Sequence, residues 1–170
     1  MKTATTMTRR IFLTVLSALG LTSQAASAAP NAKGTGARPD ALTLTDAQWK
    51  QRLTPAQYDV LRRAGTERPG SSALNAEKRA GRYVCVGCEL PLFDAIMKFE
   101  SGTGWPSFFA TLPEAFVTTT DFKMILPRTE YHCARCGGHH GHVFDDGPKP
   151  TGKRYCNNGV ALKFIEEKKA

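Results

Sequence analysis

Glu130-Tyr-His-Cys-Ala-Arg-Cys-Gly-Gly-His-His-Gly-His-Val-Phe144 holds two extended pieces, Glu130–Cys133 and His142–Phe144, around a Cys-x-x-Cys unit followed by glycine. Further short extended pieces lie at Tyr83–Val86, Lys98–Glu100, Phe116–Asp121 and Ala161–Ile165, separated by Gly, Pro and Asp. Phe116–Asp121 (FVTTTD) and Ala161–Ile165 (ALKFI) carry the aromatic, β-branched or alternating residues of half-buried strands. Short strands with turn punctuation predict a small antiparallel β-domain. Ahead of it, Thr45-Asp46-Ala47-Gln48 and Thr54-Pro55-Ala56-Gln57 have the form of capping boxes. Each opens a short helix, one containing Trp49 and Leu53, the other Tyr58 and Leu61, with Gly65 as the stop. Thr66 to Asn75 is expected to be a loop.

The N-terminus has a different character. Lys2, Arg9 and Arg10 precede an apolar run from Ile11 to Leu21, and Ala26-Ser27-Ala28 is a small-residue cleavage pattern. That is the form of an export signal. Thr8-Arg9-Arg10-Ile11-Phe12-Leu13 also resembles the twin-arginine motif. The apolar run rises about 16 Å as a helix, roughly half a bilayer core. The expected organisation is an export signal over 1–28, a flexible leader over 29–44, a catalytic domain over 45–166 and a polar tail over 167–170. The expected location is the bacterial periplasm, with no stable membrane association after cleavage. The formal charge is +8, and removing the three cations of the signal leaves +5. These cations are dispersed along the chain, so nucleic acid is not an expected partner.

Cys85-Val-Gly-Cys88 and Cys133-Ala-Arg-Cys136 are separated by 44 residues. Two such knuckles bring four thiolates to one centre, which suits a tetrahedral zinc ion. Two structural disulfides or a redox pair use the same spacing. Four protein ligands would close the zinc to chemistry, leaving the ion structural. The chain has five cysteines, so Cys156 is left over. A lone cysteine is often a small buried hydrophobe. Here Lys153 and Arg154 stand beside it as cations that favour a thiolate, and His139, His140 and His142 lie upstream. Cysteine with histidine is a kit for nucleophilic catalysis with proton transfer. The histidines alone equally fit a surface metal-binding patch.

Lys98-Phe-Glu-Ser-Gly-Thr-Gly-Trp-Pro-Ser-Phe108, His139-His-Gly-His-Val-Phe144 and Arg154-Tyr-Cys-Asn-Asn158 closely resemble the methionine-R-sulfoxide reductase (MsrB) family. The two knuckles resemble its zinc-binding members, and the likeness runs from about Asp46 to Ile165. The resemblance implies a mainly β fold of two antiparallel sheets in a sandwich- or barrel-like core, with one structural zinc ion opposite the active site. It implies reduction of the R epimer of methionine sulfoxide in proteins or peptides, which restores a flexible apolar side chain. On that pattern Cys156 is the nucleophile that becomes a sulfenic acid, and His142 with His139 supplies protons. Arg154 favours the thiolate and Asn158 orients the polar site. Trp105 packs against the substrate methyl group, Phe144 completes the pocket wall, and His140, off the motif, is exposed.

Many members carry a resolving cysteine where this chain has Thr103. The resemblance therefore implies an external thiol donor: a thioredoxin-like protein, a glutaredoxin-like protein or a small thiol. Glu89-Leu90-Pro91 and Gly70-Ser71-Ser72 are further departures. A monomer is expected. A zinc-ribbon-like binding module and a histidine-and-cysteine metal chaperone are the competing classes. Neither accounts for Cys156 together with the Gly-Trp-Pro-Ser-Phe segment.

Overall fold

The computed structural model describes residue 1 and residues 38–168; the expected export signal, with most of the leader, lies outside the described residues. Both capping boxes form. They open α1 (Asp46–Arg52) and α2 (Pro55–Arg63), each threonine hydroxyl accepting the N–H of the glutamine three residues on. That glutamine side chain accepts the threonine N–H in return, so two otherwise unpaired helix-end donors are satisfied at each start. The left-handed cap of α2 falls on Ala64 (φ 53°), one residue before the expected Gly65. Within the expected loop, Ala73–Asn75 makes one 3₁₀ turn capped by the Ser72 hydroxyl.

Among the described residues nine strands follow: β1 (Gly81–Cys85), β2 (Pro91–Asp94), β3 (Lys98–Phe99), β4 (Ser107–Phe108), β5 (Phe116–Asp121), β6 (Arg128–Cys133), β7 (His139–Phe144), β8 (Arg154–Asn157) and β9 (Leu162–Glu166). They make two antiparallel sheets, ordered β2-β1-β9 and β3-β4-β8-β7-β6-β5. The mainly β architecture expected from the sequence is present. Among the described residues, no helix is long and apolar enough to cross a membrane.

Aromatic rings fill the core. Phe93 stacks on Phe108 with centroids 3.9 Å apart, Tyr83 meets Phe108 edge-on, and Phe116 meets Tyr131 edge-on. Of these, Phe93, Phe108, Tyr83 and Tyr131 are fully buried, each contributing about 1.5–3 kcal/mol of apolar transfer, and favourable ring geometry adds to it.

The large sheet has two faces of opposite character. Phe108, Tyr155 and Val143 are paired in register on the core side. One residue along, Ser107, Cys156, His142, Glu130 and Thr119 form a continuous row across β4, β8, β7, β6 and β5. Directly opposed residues share a face, so this row is the polar face of the sheet. The alternation breaks once. Tyr131 pairs with Gly141 but His132 pairs with His139, which leaves His140 as the extra residue of a β-bulge. An inserted residue reverses the side on which its neighbours emerge. His139 therefore joins Glu130, while His140 turns inward against the Phe116 ring.

Candidate active site and metal centre

Cys156 and His142 face each other across β8 and β7, at the roughly 4.5–5.5 Å Cβ separation of an opposed pair. They line a cavity of about 140 Å³ with Trp105, Phe144, Arg128 and Asn158. Liquid water occupies about 30 Å³ per molecule, so the space takes a group of a few heavy atoms. Gly141 forms part of the wall for a steric reason: a Cβ there would lie 1.9 Å from the Cys156 carbonyl oxygen.

Burial pushes the Cys156 thiol above the ordinary cysteine value, opposed by the Arg154 charge and a hydrogen bond from the Thr103 hydroxyl. Arg154 is held for this task. Its Nε and Nη2 donate to the two Asp146 carboxylate oxygens at 2.8 Å, and its guanidinium lies 4.4 Å from the Phe144 ring centre. A fork clamped on a carboxylate and stacked on a ring has few other conformations.

His142 is tied to Asp121, with Nε2 2.8 Å from Oδ2. Asp121 also accepts from the Lys123 backbone N–H and from Arg128 Nη2. Those three partners, the backbone N–H foremost, hold its carboxyl well below the usual range. An ionised carboxylate only accepts, so His142 Nε2 carries the hydrogen and Nδ1 is the basic atom. Burial lowers the His142 pKa, the Asp121 hydrogen bond opposing it. Thiol, imidazole and carboxylate thus stand in sequence: a nucleophile, a base and the group that fixes the base's tautomer.

His139 stands behind His142, ring centres 5.6 Å apart, with its Nδ1 2.5 Å from Glu130 Oε1. Burial pushes its pKa down to about 4 against the Glu130 attraction. His140 corrects the expectation of an exposed residue: it is completely buried, and burial pushes its pKa down to about 3. The bulge that brings His139 to the polar face sends His140 into the core.

Asn158 shapes the site through the backbone. Its N–H and Nδ2 both donate to the carbonyl of the bulged His140, and its Oδ1 accepts the Glu67 N–H. Glu67 in turn accepts the Trp105 indole N–H on its carbonyl, and its carboxylate takes the Gly159 and Val160 N–H groups. Trp105 is therefore fixed as a wall of the cavity by a loop residue to which the sequence reading assigned no role.

The knuckles converge as expected. Cys85 and Cys136 sulfurs are 3.7 Å apart and those of Cys88 and Cys133 3.4 Å, and all four lie within 4.8 Å of one another. A tetrahedral ion with 2.3 Å metal–sulfur bonds requires sulfurs about 3.8 Å apart, so the donor set fits a metal with small adjustments. Arg52, Arg62 and Arg135 donate to the carbonyls of Gly87, Cys136 and Cys88. In the second knuckle the left-handed position is Gly137 (φ 66°), and in the first it is Glu89 (φ 60°).

The SelR domain family matches residues 53–166. The chain belongs to the MsrB family. Among its relatives are the peptide methionine sulfoxide reductase MsrB of Pseudomonas putida (strain W619) and that of Methanosarcina barkeri (strain Fusaro / DSM 804). The first is 53% identical over 118 residues, covering 69% of this chain and 89% of the relative. The second is 50% identical over 128 residues, covering 75% and 90%. The chloroplastic peptide methionine sulfoxide reductase B1 of Arabidopsis thaliana is 45% identical over 150 residues, covering 88% and 74%. Of the MsrB-like residues expected at the site, Cys156, His142, Trp105, Phe144 and Asn158 line the cavity. Arg154 acts from beside it, and His139 lies behind His142. Asp121, Arg128 and Glu67 complete the arrangement without having been anticipated. The Asp-x₆-Arg spacing at the ends of β5 and β6 was the one available sign of the Asp121–Arg128 pair.

Proposed function

We propose that the chain reduces the R epimer of methionine sulfoxide in exported proteins or peptides, through a sulfenic acid on Cys156. The observation that carries this is the register of β7 and β8, which sets Cys156 opposite a carboxylate-tethered His142 in one small, tryptophan-walled cavity. His142 Nδ1 takes the thiol proton as the Cys156 sulfur attacks the sulfoxide sulfur. The proton passes to the sulfoxide oxygen, and the oxygen ends on Cys156 as S–OH while methionine departs, so thiol and sulfoxide become sulfenic acid and thioether with no net proton uptake. Arg154 and Thr103 favour the thiolate. Trp105 offers a broad apolar wall to the substrate methyl group and so discriminates the epimers by shape. His139 and Glu130 hold His142 from behind.

A structural zinc ion on Cys85, Cys88, Cys133 and Cys136 ties the two knuckles together when bound, and those residues take no part in the reaction. Thr103 offers no thiol, so an external thiol attacks the sulfenic sulfur, releasing water, and a second thiol frees Cys156 from the mixed disulfide. The signal-like N-terminus supports a periplasmic setting.

The test uses peptides carrying each sulfoxide epimer, with dithiothreitol as donor. Methionine from the R peptide alone is expected, and Cys156→Ser abolishes it. Turnover by the Cys156→Ser variant at near the wild-type rate would overturn the assignment. Trp105→Ala should narrow the preference for the R epimer.

A further inference from the structure

We propose that Glu130, His132 and His139 form a second, exchangeable metal site for a borderline divalent cation such as Zn²⁺, whose occupation switches the reductase off. The inhibitory consequence rests on the role of His142 given above; the site itself does not. One ligand atom from each of the three residues lies within 4.8 Å of the others. His132 Nε2 is 3.4 Å from Glu130 Oε1, and His139 Nδ1 is 2.5 Å from that same oxygen. A tetrahedral ion with bonds of 2.0–2.1 Å spaces its ligand atoms by about 3.3 Å. The first distance already fits, and the second opens by less than 1 Å as the ion displaces the shared hydrogen. Two imidazoles and one carboxylate are ligands that zinc accepts.

The β-bulge makes the trio. Glu130 and His132 share a face of β6 by strand alternation. His139 reaches them because the extra residue His140 reverses the side on which β7 presents it. His132 keeps 22% of its side chain exposed, so an ion has a route in, and solvent can supply the remaining ligand. The Thr119 hydroxyl lies 3.3 Å from His132 Nε2 on the solvent side.

Occupation would act on catalysis in two ways. It removes His139 from the support of His142, whose ring centre lies 5.6 Å away. It also places a double positive charge beside an imidazole that must itself become positive when it takes the thiol proton. Losing proton transfer costs on the order of a hundredfold in rate.

The experiment uses holoprotein with its cysteine site filled by zinc and Cys156 pre-reduced, with free thiol removed so that nothing else chelates. Cobalt(II) is titrated in and followed by absorption, and the first turnover on R-sulfoxide peptide is timed with and without added Zn²⁺. Wild type should take up one cobalt with visible ligand-field bands and no new sulfur-to-cobalt charge-transfer band. Zn²⁺ should slow its first turnover about a hundredfold, and a chelator too weak to strip the cysteine site should restore it. His132→Gln should lose both the cobalt bands and the inhibition while turning over normally without added metal. No cobalt uptake by wild type, or equal uptake by His132→Gln, overturns the site. Uptake lost in His132→Gln but with no effect of Zn²⁺ on wild-type turnover overturns the switch. A wild type inactive before metal is added refutes the reductase assignment instead, and the cobalt spectrum still decides the site.

Discussion

His140→Leu should make the protein markedly more tolerant of acid. His140 is fully buried, neither ring nitrogen has a hydrogen-bond partner, and its ring sits edge-on to Phe116. Burial moves its pKa from the ordinary 6.5 to about 3. Between those values the unfolded chain holds a proton that the native chain refuses, so stability falls as pH drops through that window. At pH 5 the gap below 6.5 is 1.5 pH units, which at about 1.4 kcal/mol each costs the native state about 2 kcal/mol. Leucine has no such proton. Urea unfolding of the metal-loaded protein at pH 7.5 and pH 5 measures the effect. The stability lost by wild type between the two should exceed that lost by the variant by about 2 kcal/mol, or about 1 M in urea midpoint. Protonation of the cysteine ligands and of His139 is common to both chains and cancels in the difference. An equal loss in the two chains would refute a neutral, buried His140. The same result would undermine the inward turn of the bulge.

Three further outcomes are expected. Asp121→Asn replaces the acceptor-only carboxylate that fixes the His142 tautomer with an amide that can also donate; kcat should fall by about 10²–10⁴ with KM little changed, and an unchanged kcat would remove Asp121 from the mechanism. Alkylation of Cys156 should show a midpoint above the ordinary thiol value of about 8.5, because burial raises its pKa; Arg154→Ala should move it higher still, and a downward move would contradict the assigned role of Arg154. Stripping metal from Cys85, Cys88, Cys133 and Cys136 with a strong chelator should sharply lower the melting temperature, because the ion closes two knuckles 44 residues apart; an unchanged melting temperature would refute a structural metal.

The parts of the fold legible in the sequence are those set by local chemistry. Thr45 and Thr54 announce α1 and α2 because a capping box is complete within four residues. Phe116–Asp121 is legible to the residue because an aromatic residue and an unbroken β-branched run, Val117 to Thr120, coincide there. By contrast β4 is two residues long, β2 begins with proline, and β8 is the polar run Arg-Tyr-Cys-Asn. None contains a period to detect, and each is a strand because a neighbour pairs with it. The site divides in the same way. Cys156, His142 and the four knuckle cysteines carry their chemistry in their residue types, whereas Asp121 and Glu67 matter through the atoms they hold. His140 shows how a one-residue insertion hides from pattern: read without the bulge, it falls on the polar side with His142, and His139 falls on the core side.

The bulge also bears on why one domain can hold five thiols without confusing them. Cys156 is two strands from Glu130, and Cys133 is three residues beyond Glu130 along β6. At about 4.8 Å per strand and 3.4 Å per residue, Cys156 and Cys133 are roughly 14 Å apart. A disulfide needs Cα atoms within about 7 Å, so an oxidised Cys156 cannot pair with Cys133 while the fold is intact. Cys133 lies on the far side of the bulge, buried with the core, while Cys156 stands on the polar face. Separation of the two thiol systems is therefore a property of the strand register itself, and it holds whether or not the knuckles carry metal. On the proposed mechanism, with threonine at position 103 beside Cys156, oxygen left on Cys156 meets what enters the 140 Å³ cavity from solvent. On the proposed mechanism a donor brings its sulfur into that cavity, which Trp105 and Phe144 line, and a thiol on a slender or extended segment suits a space of that size better than one recessed in a flat surface.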